Sequence, residues 1–65
     1  SLGLTPQQWE LFWNDLTPAQ QHMIGKMKEG ESLEAIARAQ NTKSSQLLSE
    51  WSKLYLAAQD IRSKS

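Results

Sequence analysis

Apolar side chains recur along this chain at spacings of three and four rather than two, which predicts helices throughout and no strand. A first helix is predicted from about Pro6 to Asn14, with Trp9, Phe12 and Trp13, followed by Leu16, on one face. A second runs from about Pro18 to Lys28, turns Met23, Ile24 and Met27 inward, and stops at Gly30. Ser32 caps a short third helix that reaches about Ala39 and buries Leu33, Ile36 and Ala37. Asn41 is the predicted turn residue, because asparagine tolerates the left-handed conformation. The fourth helix, from Lys43 or Ser44 to about Ile61, carries the longest stripe: Leu47, Trp51, Leu54, Ala58 and Ile61. The predicted fold is all-α, a single four-helix domain with a helix-turn-helix-like core of three helices.

The helix starts are signalled locally. Leu4-Thr5-Pro6-Gln7-Gln8 and Leu16-Thr17-Pro18-Ala19-Gln20 stand twelve residues apart and share one grammar. Threonine caps, proline presets the first helical φ, and the glutamine three residues on completes a capping box. Leu4 also stands where a hydrophobic staple onto Trp9 would form. These are read as two capped helices rather than an internal repeat.

Composition narrows the function. At 65 residues this is one domain at most, and its lack of cysteine removes the disulfide as a staple. Seven basic and seven acidic residues cancel, and the pI is near 6.5, so no global positive field gathers phosphate. No apolar run approaches the length of a membrane span or a signal-peptide core. A soluble, cytoplasmic module is expected. The chain begins Ser1-Leu2-Gly3 and ends Arg62-Ser63-Lys64-Ser65, which reads as a piece of a longer protein.

No arrangement of residues points to catalysis. His22, the single histidine, falls away from Met23 and Met27 on its helix and has no cysteine to share a metal with. Glu29, Glu31 and Glu34 gather around Gly30, where they solvate a turn and favour the positive end of the third helix by about 0.3 to 1 kcal/mol each. Ser44, Ser45, Ser49 and Ser52 have no base in a triad-like pattern. A non-enzyme without metal, cofactor or small-molecule substrate is expected. The three tryptophans have two readings, a shared aromatic core or a partly exposed interface anchor.

Leu16-Thr17-Pro18-Ala19-Gln20, the run Gly30 to Arg38, and Ser44-Ser45-Gln46-Leu47 through Leu54-Tyr55 resemble the LuxR/GerE-type DNA-binding domain and region four of bacterial sigma factors. The resemblance covers about forty residues. It implies that Ser32 to about Leu54 holds a helix-turn-helix, with the last helix offered to the major groove. A second, shorter similarity is to the helical C-terminal domain associated with TerB proteins, on helix three, Leu47-Leu48-Ser49-Glu50 and Asp60-Ile61. The chain differs from the DNA-binding families at Gln40, Asn41 and Thr42 before the last helix. It also places Leu48, Ser49 and Glu50 where those families often put phosphate- and base-contacting groups.

That difference turns attention to the rest of the fourth helix. At about 100° per residue, Leu48, Ser52, Tyr55, Leu56 and Gln59 follow a side adjoining the core stripe. A helix apolar on more than one side is either buried on both or takes a partner. Helix one could fold over this second side, or the side could dock a protein partner or a second copy. The expected function is protein–protein interaction through these five residues. The alternative is a DNA-binding domain of a transcriptional regulator, in which Lys43, Ser44, Ser45, Gln46, Ser49 and Lys53 contact duplex DNA and Gln46 reads adenine.

Overall fold

The computed structural model describes residues 2–64. Among them the order is α1 (Pro6–Asn14), α2 (Pro18–Lys28), α3 (Leu33–Ala39) and α4 (Ser44–Ser63), with no strand. The molecule is an elongated globule of 36 × 19 × 19 Å. Its long dimension is set by α4, whose 20 residues span about 30 Å at 1.5 Å per residue. Helices α1 and α3 both pack on α4, and α2 packs on α3. No helix among the described residues is long and apolar enough to cross a membrane.

Both threonine caps form complete capping boxes. Thr5 Oγ1 accepts from the Gln8 N–H at 3.1 Å while Gln8 Oε1 accepts from the Thr5 N–H at 2.9 Å. Thr17 and Gln20 repeat the pair at 3.2 and 2.8 Å. Ser32 Oγ accepts from the Ala35 N–H at 3.1 Å and starts α3. Each cap satisfies a backbone donor that has no partner within the helix.

The two stops share one geometry. Past α2, the Gly30 N–H donates to Met27 O and the Glu31 N–H to Lys26 O, with Gly30 at φ 91°. Past α3, the Asn41 N–H donates to Arg38 O and the Thr42 N–H to Ala37 O, with Asn41 at φ 55°. Both are Schellman closures, which need a left-handed residue just beyond the cap. The second leaves a turn of four residues, Gln40 to Lys43, between α3 and α4. Helix α4 runs two residues beyond the predicted end at Ile61, because no glycine or proline follows. Arg62 continues it, placing its cation at the helix's negative end and donating to Gln59 Oε1 at 3.2 Å.

The core draws on every helix: Phe12 from α1, Met23 and Ile24 from α2, Ile36 and Ala37 from α3, Leu47, Leu54 and Ala58 from α4. Trp9, Trp13, Leu16, Met27, Leu33, Trp51 and Ile61 pack against it half-buried. So do Leu2 and Leu4, on a segment that turns at left-handed Gly3 (φ 72°), where an added Cβ would meet the Arg62 guanidinium at 3.1 Å. Among the described residues, no polar side chain is buried. Gln21 Nε2 donates to Trp13 O at 3.0 Å, tying the end of α1 to α2.

Candidate interaction face on the fourth helix

Helix α1 packs on α4 and yet leaves its second side open. Leu48 is 53% exposed, Leu56 67% and Tyr55 45%, with Ser52 also exposed and Gln59 half-buried. Leu48, Ser52 and Leu56 step by four residues and form one ridge along the helix. The Ser52 hydroxyl donates to Leu48 O at 2.9 Å, so its polar group is satisfied within the helix. The ridge is therefore apolar at both ends and small in the middle.

Tyr55 joins this ridge to a feature that no single helix announces. Between α1, α2 and α4 lies an open groove of about 470 Å³, with Trp9, Met27, Trp51 and Tyr55 on its walls and Leu2 at its margin. Buried Ile24 supplies its floor and Lys28 its charged wall. The Trp51 and Tyr55 rings lie 6.5 Å apart and are tilted, and Trp9 stacks on Trp13 at 5.9 Å and leans on Phe12 at 5.6 Å. The tryptophans thus pack against the core, as the first of their two readings has it, and Trp9 and Trp51 also line the groove.

The charges beside the groove are unequal. Lys26 contacts Glu29 at 3.5 Å and Glu31 at 3.6 Å. Glu29 first, then Glu31, raises the Lys26 ammonium above the usual 10.5. Two of the three glutamates read as turn solvation around Gly30 therefore also hold a lysine. Lys28 Nζ instead lies 4.0 Å from the centroid of the Trp9 ring, in cation–π geometry. Among the described residues, no carboxylate pairs with it.

The six residues of the alternative reading stand at the start of α4. Lys43 is its N-cap, and Ser44, Ser45, Gln46, Ser49 and Lys53 follow, all exposed. Glu50 and Lys53 share a second concavity of about 350 Å³ with Gln20 and Gln40. A carboxylate thus stands at the same concavity as one of the two lysines that would attract phosphate. His22 is exposed, and among the described residues no three metal-ligating side chains gather.

Two features escaped the sequence pattern. Leu11 is 63% exposed on α1, about 200° around the helix from Trp9, so no stripe claims it. The groove unites residues more than forty positions apart, and helical periodicity carries no signal for such a pairing.

A family model described as heterocyst differentiation protein HetZ-like matches residues 1–63. The chain belongs to that family. The match spans all four helices, and the family's description concerns heterocyst differentiation. It does not extend the resemblance to LuxR/GerE-type or sigma region-four domains, which stays with the alternative reading below. No curated protein and no solved structure matches the chain.

Proposed function

We propose that this HetZ-like domain is a non-catalytic helical module that docks a protein partner, or a second copy, through Leu48, Ser52, Tyr55, Leu56 and Gln59 of α4. The observation that carries the reading is the exposure of two leucines on one ridge while α1 already occupies its place on α4. Covering a leucine fully is worth about 1.5–3 kcal/mol, so burying the open half or more of each adds roughly 1–2 kcal/mol per side chain. A partner helix laid along the ridge uses that gain. The absence of charge from these five positions suits such a contact and serves phosphate poorly.

Replacing Leu48 and Leu56 together by serine tests it. Partner binding or concentration-dependent association, followed by sedimentation, should be lost, while the stability cost stays near the roughly 1 kcal/mol per leucine that its covered part supplies. A large fall in the midpoint would instead make this side part of the core.

DNA binding is the second reading, favoured by the short α3–α4 turn and by the exposure of Lys43, Ser44, Ser45, Gln46, Ser49 and Lys53 on the first turns of α4. A fluorescence titration with duplex DNA separates the two. Affinity at low salt that falls steeply as salt rises favours the DNA reading, since each phosphate contact adds to the salt slope.

A further inference from the structure

The α4 ridge is too small to be the whole of a stable interface. A standard interface takes about 800 Å² from each partner, and the entire surface of this domain is 4688 Å². One row of five side chains on one helix does not supply that share. The groove extends it, because Tyr55 belongs to both and makes ridge and groove one continuous surface.

The walls of the groove state what it takes. Trp9, Met27, Trp51 and Tyr55 offer aromatic and thioether contacts, suited to one large apolar side chain inserted from outside. The concavity is open rather than enclosed, which suits an anchor carried on a chain better than a free small molecule. The polarity of its rim is set by Lys28. Two residues earlier, Lys26 is saturated by Glu29 and Glu31, whereas the Lys28 ammonium rests on the Trp9 ring with no carboxylate paired to it among the described residues. A carboxylate arriving beside the apolar anchor meets this cation where the ring excludes part of its water, which strengthens the attraction.

We propose that the groove seats an apolar anchor of an acidic amphipathic helix of a partner protein, with one partner carboxylate on Lys28, while the rest of that helix runs onto Leu48 and Leu56. The proposal rests on the reading of the domain as an interaction module and names the partner's chemistry. Basic segments are disfavoured by the same lysine, so the rim selects as well as attracts.

The experiment uses the 65-residue chain and two synthetic amphipathic helical peptides with one shared leucine–phenylalanine face, one bearing glutamate and the other lysine on the polar face. The indole N–H signals of Trp9 and Trp51 and the methyl signals of Leu48 and Leu56 are followed by NMR. The acidic peptide should shift Trp9 and Trp51 saturably, Lys28→Gln should weaken it by about two- to fivefold, and Lys28→Glu should invert the preference between the peptides. Dodecanoate is the third arm, because it carries the same carboxylate and apolar body without a helix. Its binding in place of the acidic peptide overturns the commitment to a protein segment. Equal binding of both peptides, a preference unmoved by Lys28→Glu, or no saturable shift at either tryptophan overturns the groove assignment. Shifts confined to Leu48 and Leu56 do so too, yet leave the module reading standing. That reading fails separately, on the Leu48 and Leu56 serine variant.

Discussion

Leu47 and Leu48 are neighbours in sequence and opposites in environment, and a pair of alanine substitutions turns this contrast into a measurement. Leu47 is 2% exposed and belongs to the core with Ile36 and Leu54. Its truncation removes buried methyl groups and leaves a void, for about 2–5 kcal/mol. Leu48 is 53% exposed, so less than half of its side chain is covered. Three lost carbons at about 0.8 kcal/mol each, scaled to that coverage, come to about 1 kcal/mol, slightly offset by alanine's better helix propensity. A chain of 65 residues has a total stability of about 3–10 kcal/mol. Leu47→Ala therefore lowers the thermal midpoint by roughly 8–40 °C at about 4–8 °C per kcal/mol, and Leu48→Ala by about 8 °C or less. Circular dichroism at the helix band, with heat and urea as independent denaturants, reads both values. A Leu48→Ala cost of about 2 kcal/mol or more, the range of a buried leucine, would refute the reasoning, because it would mean that the Leu48 side is packed and not open to a partner.

Three further outcomes follow from the same structure. Thr17→Ala removes one half of the α2 capping box and should cost about 1 kcal/mol, with Thr5→Ala costing a similar amount at α1, both read from urea midpoints. Asn41→Ala forces a Cβ-branching-free but still chiral residue into φ 55° without asparagine's local hydrogen bonding and should cost about 1–2 kcal/mol, whereas Asn41→Gly should be neutral or mildly stabilising by the same denaturation assay. The raised pKa of Lys26 means that its contribution is fully present below about 10.5 and is lost as pH climbs through the higher folded-state value. Lys26→Gln should remove that part of the alkaline fall in stability, and an unchanged profile would show that Glu29 and Glu31 do not hold it.

How much of this was legible in advance differs by element. The starts at Thr5, Thr17 and Ser32 and the stops at Gly30 and Asn41 stand where the residue pattern puts them, because a cap or Schellman closure involves only residues within one or two turns. The end of α4 ran past Ile61 because Arg62 and Ser63 carry no glycine or proline stop signal. The five residues of the candidate face could be placed on one side of α4 by angle alone. Whether α1 would cover them could not, since that depends on where one helix crosses another. Lys28 drew no notice in the sequence for the same reason: its role depends on a ring on a different helix.

The sequence by itself determined that this chain makes four helices, where the three capped ones begin, and which stripe of each turns inward. Those features are local, with caps spanning three residues and stripes repeating within a single helix. Only the tertiary structure decided which apolar residues are left over. Packing α1 and α3 on α4 closes the core around Leu47 and Leu54, but a nine-residue helix does not also reach Leu48 and Leu56. The same crossing brings Trp9, Met27 and Trp51 to one groove and sets Lys28 on its rim. Surface that no helix in the chain can cover is a property of how the helices cross, and that is where the candidate site of this HetZ-like domain resides.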